Sequence, residues 1–195
     1  AKWAYYLWAP ILILEGFFAV AQLIPHYRAR PIIQAGTGFF FFYTFLIQTV
    51  WTFFFSFQYF VCSFVAVLAA LVSLGSLLAS QKSALMGQKQ SFLEYCLFCF
   101  PFYLHTGWMV LMTVDHLSLL SRALEASIGL QLATDIFSLG IMLAVAALCC
   151  LASPSWQDFV IPIVILWSYV SVLLICFDVI DDRGNCSRHG NATPN

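Results

Sequence analysis

The chain has 195 residues, of which 62% are hydrophobic and 9% are charged, and its formal net charge is −1. Because soluble domains carry about 25% charged residues, this composition excludes an ordinary soluble protein and indicates an integral membrane protein. The near-neutral charge and the lack of a basic run argue against nucleic acid as a partner. Its apolar stretches are much longer than the ~10-residue strands of a membrane barrel, so we predict an all-α fold surrounded by membrane lipids.

The apolar segments predict a bundle of about six transmembrane helices within residues 1–180, followed by a polar, mobile tail at 181–195. The predicted spans are about 3–24, 34–55, 58–79, 92–116, 128–151 and 156–177. Residues 32–79 contain no charge, and as one helix they would measure roughly 72 Å, more than twice the hydrocarbon core. We therefore place two spans there, with a turn near Ser56–Gln58.

The fourth predicted span carries polar side chains at helical spacing. One face of a continuous helix would hold Glu94, Phe98, Pro101, His105, Trp108, Met112 and Asp115. Lipid tolerates such a face poorly, so we expect it to point at protein, a ligand or water.

The histidines of this span have more than one chemical interpretation. His105 either ligates a metal, such as the magnesium or iron of a tetrapyrrole, or donates a hydrogen bond to a neighbouring helix. His116 follows Asp115 at the predicted helix end, where interfacial solvation competes with metal ligation. In a pigment-binding protein, Glu94 and Gln34 are further candidate ligands for chlorophyll magnesium.

Glu15 lies near the middle of the first predicted span, where an acid is costly to bury. It either has a functional role or is a protonated carboxyl bonded to Gln48 or to a backbone carbonyl. A proton-coupled transporter using Glu15 and Asp135 is a third functional interpretation. The sequence carries no nucleophile elbow, phosphate-binding glycine loop or zinc motif, so we predict no enzyme activity.

Aromatic residues are abundant, with 20 Phe, 8 Tyr and 6 Trp. This number exceeds what interfacial belts require. It suits large flat apolar ligands such as sterols, porphyrins, chlorophylls or carotenoids, and ordinary packing against lipid and other helices explains it equally well.

The fourth span also carries a family motif. Residues matching the pattern Pro-Phe…Gly-Trp…Ala-Thr…Asn are Pro101, Phe102, Gly107, Trp108 and Thr113, with His116 in place of the asparagine. In this motif the chain resembles the tryptophan-rich sensory protein / translocator protein (TspO/MBR) family and its longer algal and bacterial relatives, as a distant member.

Other spans show further similarity to the same family. The family's first helix is similar to the segment that holds Trp8-Ala9-Pro10, Glu15 and Gln22. Its second helix is similar to the segment with Gln48 and Trp51, and Trp167 fits a tryptophan in a late helix of the family. The resemblance implies a non-enzymatic bundle with an aromatic pocket for a tetrapyrrole or a sterol. The expected pocket residues are Trp8, Glu15, Gln48, Trp51, Trp108 and Trp167, with His105 as a second polar group. Translocator proteins have five helices, one fewer than predicted here.

A second function belongs to a different class. With short loops and no extramembrane domain, the chain also suits an accessory subunit of a larger membrane complex such as a photosystem. Its Phe-rich surfaces would then bind pigments, lipids and neighbouring subunits in photosynthesis. Both functions favour an organelle membrane, of a plastid thylakoid or a mitochondrion, over the plasma membrane.

Overall fold

The computed structural model describes residues 6–88, 90–152, 159–171 and 174. The predicted tail at 181–195 and the outer parts of the first and last predicted spans lie outside these residues. The described residues form helices and no strand. The predicted all-α membrane fold is therefore confirmed.

Eight α-helices and one π-helical turn follow one another along the described chain. They are α1 (Trp8–Ala21), α2 (Pro25–Arg28), the π-helical turn (Ile32–Thr37), α3 (Phe40–Ser56), α4 (Phe60–Ala84), α5 (Phe92–Phe98), α6 (Phe100–Ala123), α7 (Ile128–Ala152) and α8 (Val160–Ser171).

Three helical segments are long and apolar enough to cross a membrane by themselves. They are Ile32–Ser56, Phe60–Ala84 and Ile128–Leu151. A fourth crossing consists of α5 and α6 taken together, and α1 and α8 are apolar helices of fewer than 18 residues. A helix that crosses the hydrocarbon core upright needs about 20 residues, so the described parts of α1 and α8 fall short of a full span.

A tight turn separates α3 from α4. The helices end and begin at Ser56 and Phe60, and Gln58 has a positive φ of 60°. A residue in this left-handed conformation reverses the chain direction directly after a helix. The two helices therefore pack as an antiparallel pair.

The helix predicted at 92–116 is interrupted. It breaks at Cys99, and α5 and α6 meet at an angle of 44°. Pro101 lies in the first turn of α6, where its missing N–H costs little, whereas inside a continuous helix it would remove a hydrogen bond. Gln81 stabilises the break, because its amide nitrogen donates to the freed carbonyl of Phe98 at 2.9 Å.

The core of the molecule surrounds α6. This helix packs against α1, α4, α5 and α7, and nearly all its residues from Pro101 to Met112 are buried. By contrast, α3 and α7 expose long rows of apolar side chains, including Phe42, Phe53 and Phe137. A helix that is apolar all round lies inside a bundle, and an exposed apolar row in a membrane protein contacts lipid.

Candidate functional site

Two polar side chains meet deep inside the bundle. Glu15 on α1 and His105 on α6 are each 1% exposed, and Glu15 Oε1 lies 2.6 Å from His105 Nδ1. A buried acid is stable only when it is paired, and this short contact supplies the pair. Among the described residues, the second polar atom of each side chain, Glu15 Oε2 and His105 Nε2, has no hydrogen-bond partner.

Three tryptophans lie beside this pair. Trp8 stacks on Trp51 with ring centroids 6.2 Å apart, and it meets Trp108 edge-on at 6.0 Å. Its ring also contacts His105 edge-on at 5.7 Å. These geometries are the ones aromatic rings prefer. We call Trp8, Trp51 and Trp108 the tryptophan cluster, which joins α1, α3 and α6.

His116 is hydrogen-bonded to one member of the tryptophan cluster. The indole N–H of Trp51 donates to His116 Nε2 at 2.9 Å, and the Ser63 hydroxyl lies 3.1 Å from the same nitrogen. His116 Nδ1 lies 2.7 Å from the Met112 carbonyl, so it carries the proton and Nε2 is the acceptor. The arrangement ties α3 and α4 to α6.

The burial and hydrogen bonds of His116 bear on its two expected roles, interfacial solvation and metal ligation. The side chain is 5% exposed and is therefore buried, not solvated at the interface. Both of its ring nitrogens are hydrogen-bonded, so binding a metal would require breaking the contact with Trp51.

The remaining candidate metal ligands lie apart from the two histidines. Glu94 caps the N-terminus of α5 together with Ser91, and its Oε1 pairs with Arg30 Nη2 at 2.7 Å. Gln34 is exposed and lines an open cleft of about 550 Å³ at the end of α1, with Gln22, Leu23, Arg28 and Ile33. Among the described residues, no three His, Cys, Asp or Glu side chains are grouped to hold a metal ion.

The two remaining candidate pocket residues, Gln48 and Trp167, differ in their surroundings. Gln48 lies on α3 one turn before Trp51, and its buried Oε1 has no partner among the described residues. Trp167 on α8 is 44% exposed. Asp135, the second acid of the transporter interpretation, lies 3.3 Å from Arg122 in an exposed contact, whereas Glu15 pairs with His105.

Sequence reasoning missed two members of this arrangement. Ser63 was unremarkable because a serine in an apolar span usually bonds its own backbone, and the Met112 carbonyl leaves no trace in the sequence. The pairing of Glu15 with His105 was missed as well. Helical periodicity shows which residues share one face of a helix, but not which helix that face meets.

Comparison with known protein families shows which family the chain belongs to. The sequence model of the TSPO-like protein family matches residues 1–176, a range that includes all three members of the tryptophan cluster and both members of the buried pair. Neither a curated protein nor a solved structure matches the chain. A match over that much of the sequence shows that this chain is an integral membrane protein that belongs to the TSPO-like protein family.

Proposed function

We propose that this protein binds a large flat apolar ligand against the tryptophan cluster, without catalysing a reaction. The observation that carries the proposal is the meeting of Trp8, Trp51 and Trp108 with the Glu15–His105 pair. These residues come from three helices that are distant in the sequence and adjacent in the bundle. An aromatic wall with a few convergent polar atoms is the usual composition of a small-molecule site.

The partial exposure of two tryptophans supports access of a ligand to the tryptophan cluster. Trp108 is fully buried, whereas Trp8 and Trp51 are half-buried. Flat rings favour offset or edge-to-face contact with other aromatic systems, at about 0.5–1.5 kcal/mol per pair beyond their buried area. A planar tetrapyrrole, which is aromatic, therefore suits this wall. A rigid sterol can cover the same flat apolar surface with less loss of conformational entropy than a flexible chain.

Ligand titration tests the proposal directly. The purified protein in mild detergent is titrated with protoporphyrin IX and, separately, with a sterol, and tryptophan quenching is recorded. For the ligand that binds, we expect Trp8→Ala to weaken affinity about three- to tenfold, because one aromatic contact is lost.

Phe137→Ala is the control. It removes an aromatic side chain from the exposed surface of α7, so affinity should stay as in the wild type. Equal effects of the two substitutions, or no binding of either ligand, would contradict the proposal.

The native protein provides a second test. We expect a small oligomer without chlorophyll or carotenoid bands when it is purified from its own membrane. Chlorophyll or carotenoid bands that travel with the protein at very high mass would instead identify a pigment-bearing subunit of a larger complex, in an organelle membrane that carries photosynthesis.

A further inference from the structure

The Glu15–His105 pair has hydrogen-bonding capacity that the described protein does not use. Both residues are 1% exposed, and their contact at 2.6 Å occupies one polar atom of each side chain. Glu15 Oε2 and His105 Nε2 are buried without a partner among the described residues. Buried polar atoms in native proteins are almost always hydrogen-bonded, so two such atoms on one pair point to a bound group.

The number and position of the protons on the pair decide which of the two unpartnered atoms donates a hydrogen bond and which accepts one. Burial disfavours a net charge, so the pair is neutral overall: a carboxylate with an imidazolium, or a carboxylic acid with a neutral imidazole. With an imidazolium, Nε2 donates and Oε2 accepts. With an acid protonated on Oε1, the imidazole carries its proton on Nε2 and the roles are the same.

The remaining neutral form has the acid proton on Oε2 and the imidazole proton on Nδ1. In that form Oε2 donates and Nε2 accepts. Every neutral form therefore presents one donor and one acceptor at the two unpartnered atoms.

We infer that the Glu15–His105 pair is the polar end of the ligand site and selects an uncharged ligand that carries a hydroxyl group. A hydroxyl both donates and accepts, so it matches the pair in each of its neutral forms. A hydrocarbon leaves both protein atoms unpaired, and a carboxylate brings a charge with no proton to donate. This inference rests on the proposed function.

The position of the pair fits this role. The His105 ring contacts Trp8 edge-on, and His105 lies three residues before Trp108 on the same helix, so the two side chains are neighbours on α6. A ligand whose rings contact the tryptophan cluster can therefore place a hydroxyl group close to the Glu15–His105 pair.

Four fluorescent probes with one ring system test the selectivity. They are 1-pyrenebutanol, its methyl ether, 1-butylpyrene and 1-pyrenebutyrate, and binding is measured by energy transfer from tryptophan at fixed detergent concentration. We expect the alcohol to bind roughly three- to tenfold more tightly than the ether and the hydrocarbon, and the carboxylate to bind most weakly. This comparison uses the wild-type chain and needs no variant to fold.

Variants then assign the preference to the pair. Glu15→Gln keeps a donor and an acceptor, because the amide oxygen accepts from His105 and the amide nitrogen donates, so the preference for the alcohol should remain. In the double variant Glu15→Leu with His105→Leu, we expect the alcohol and the hydrocarbon to bind with equal affinity. Asp135→Asn, on the exposed part of α7, should leave all four affinities unchanged.

The outcomes separate this inference from the proposed function. Equal binding of the alcohol, ether and hydrocarbon overturns the inference and leaves the proposed function standing. A preference that survives in the double leucine variant overturns it too, because the pair is then not its source. If none of the pyrenes binds while protoporphyrin IX does, the inference is overturned, and if protoporphyrin IX and the sterol also fail, the proposed function is overturned with it.

Discussion

Glu15 and His105 show how single residues depend on each other inside a membrane bundle. Each would be costly to bury alone, and their contact of 2.6 Å joins α1 to α6 across 90 positions of sequence. The loss of one partner leaves the other buried without compensation, whereas the loss of both removes the polar groups together.

This dependence predicts a non-additive effect on stability. His105→Leu alone should lower stability by about 3–5 kcal/mol, because Glu15 is left buried and unpaired. Adding Glu15→Leu should restore much of that loss. Thermal unfolding in detergent, followed by tryptophan fluorescence for the two single variants and the double variant, measures the coupling. Additive changes in the apparent Tm would show that the two side chains do not interact.

Substitution of His116 is expected to weaken ligand binding through its effect on Trp51. His116→Leu removes the acceptor of the Trp51 indole N–H, leaving a partly buried donor unpaired at a cost of about 1–3 kcal/mol. Trp51 then loses its fixed orientation, and the ligand loses part of the wall that Trp51 forms with Trp8. We expect a weaker near-ultraviolet circular dichroism signal and weaker ligand binding.

His116→Asn is the conservative variant, because its amide oxygen can accept from the same indole. It should retain more of the dichroism signal and of the ligand affinity than His116→Leu. If both variants bind the ligand like the wild type, His116 does not position the site.

At the scale of elements, α6 shows what sequence patterns can and cannot predict. Its apolar character and its central tryptophan are evident from the sequence, and the all-α class and the family resemblance are confirmed. The break at Cys99 was not predicted, although Pro101 offered a local signal. The reason is that the break also depends on Gln81, whose hydrogen bond to the Phe98 carbonyl forms only after α4 packs beside it.

Close packing between α6 and α8 gives a prediction at this scale. A Cβ added at Gly107 would lie 2.9 Å from the Cβ of Val164, so Gly107→Ala should force the helices apart and cost about 1–3 kcal/mol. Gly140→Ala is the control, since no atom lies within 4 Å of its added Cβ and alanine favours the helix. Apparent Tm values in detergent compare the two.

The same site allows a rescue experiment. Adding Val164→Ala to Gly107→Ala removes the two methyl groups at 3.2 and 3.3 Å from the new Cβ and keeps the Val164 Cβ at 2.9 Å, so a small part of the lost stability should return. A Gly107→Ala variant as stable as Gly140→Ala would mean that α8 does not pack closely against α6.

At the scale of the whole molecule, the ends of the helices determine how the chain lies in the membrane. The ion pair of Arg30 with Glu94 places the segments before α3 and before α5 at one end of the bundle. Because α4 has 25 residues and a length of about 37 Å, the turn at Gln58 lies at the opposite end. The fold therefore places the segments of Arg30 and Glu94 at one end of α4 and the turn at Gln58 at the other.

This assignment predicts opposite labelling of the two ends of α4. In a background without native cysteines, Ser83→Cys and Phe57→Cys should each react with a membrane-impermeant maleimide from one face of sealed vesicles, and from different faces. Arg28, Arg30 and Lys82 lie at the Ser83 end, and basic residues in short loops favour the cytoplasm-like side, so Ser83→Cys should react from there. Labelling of both cysteines from the same face would mean that α4 does not cross the bilayer, because its two ends would then lie on one side of the membrane.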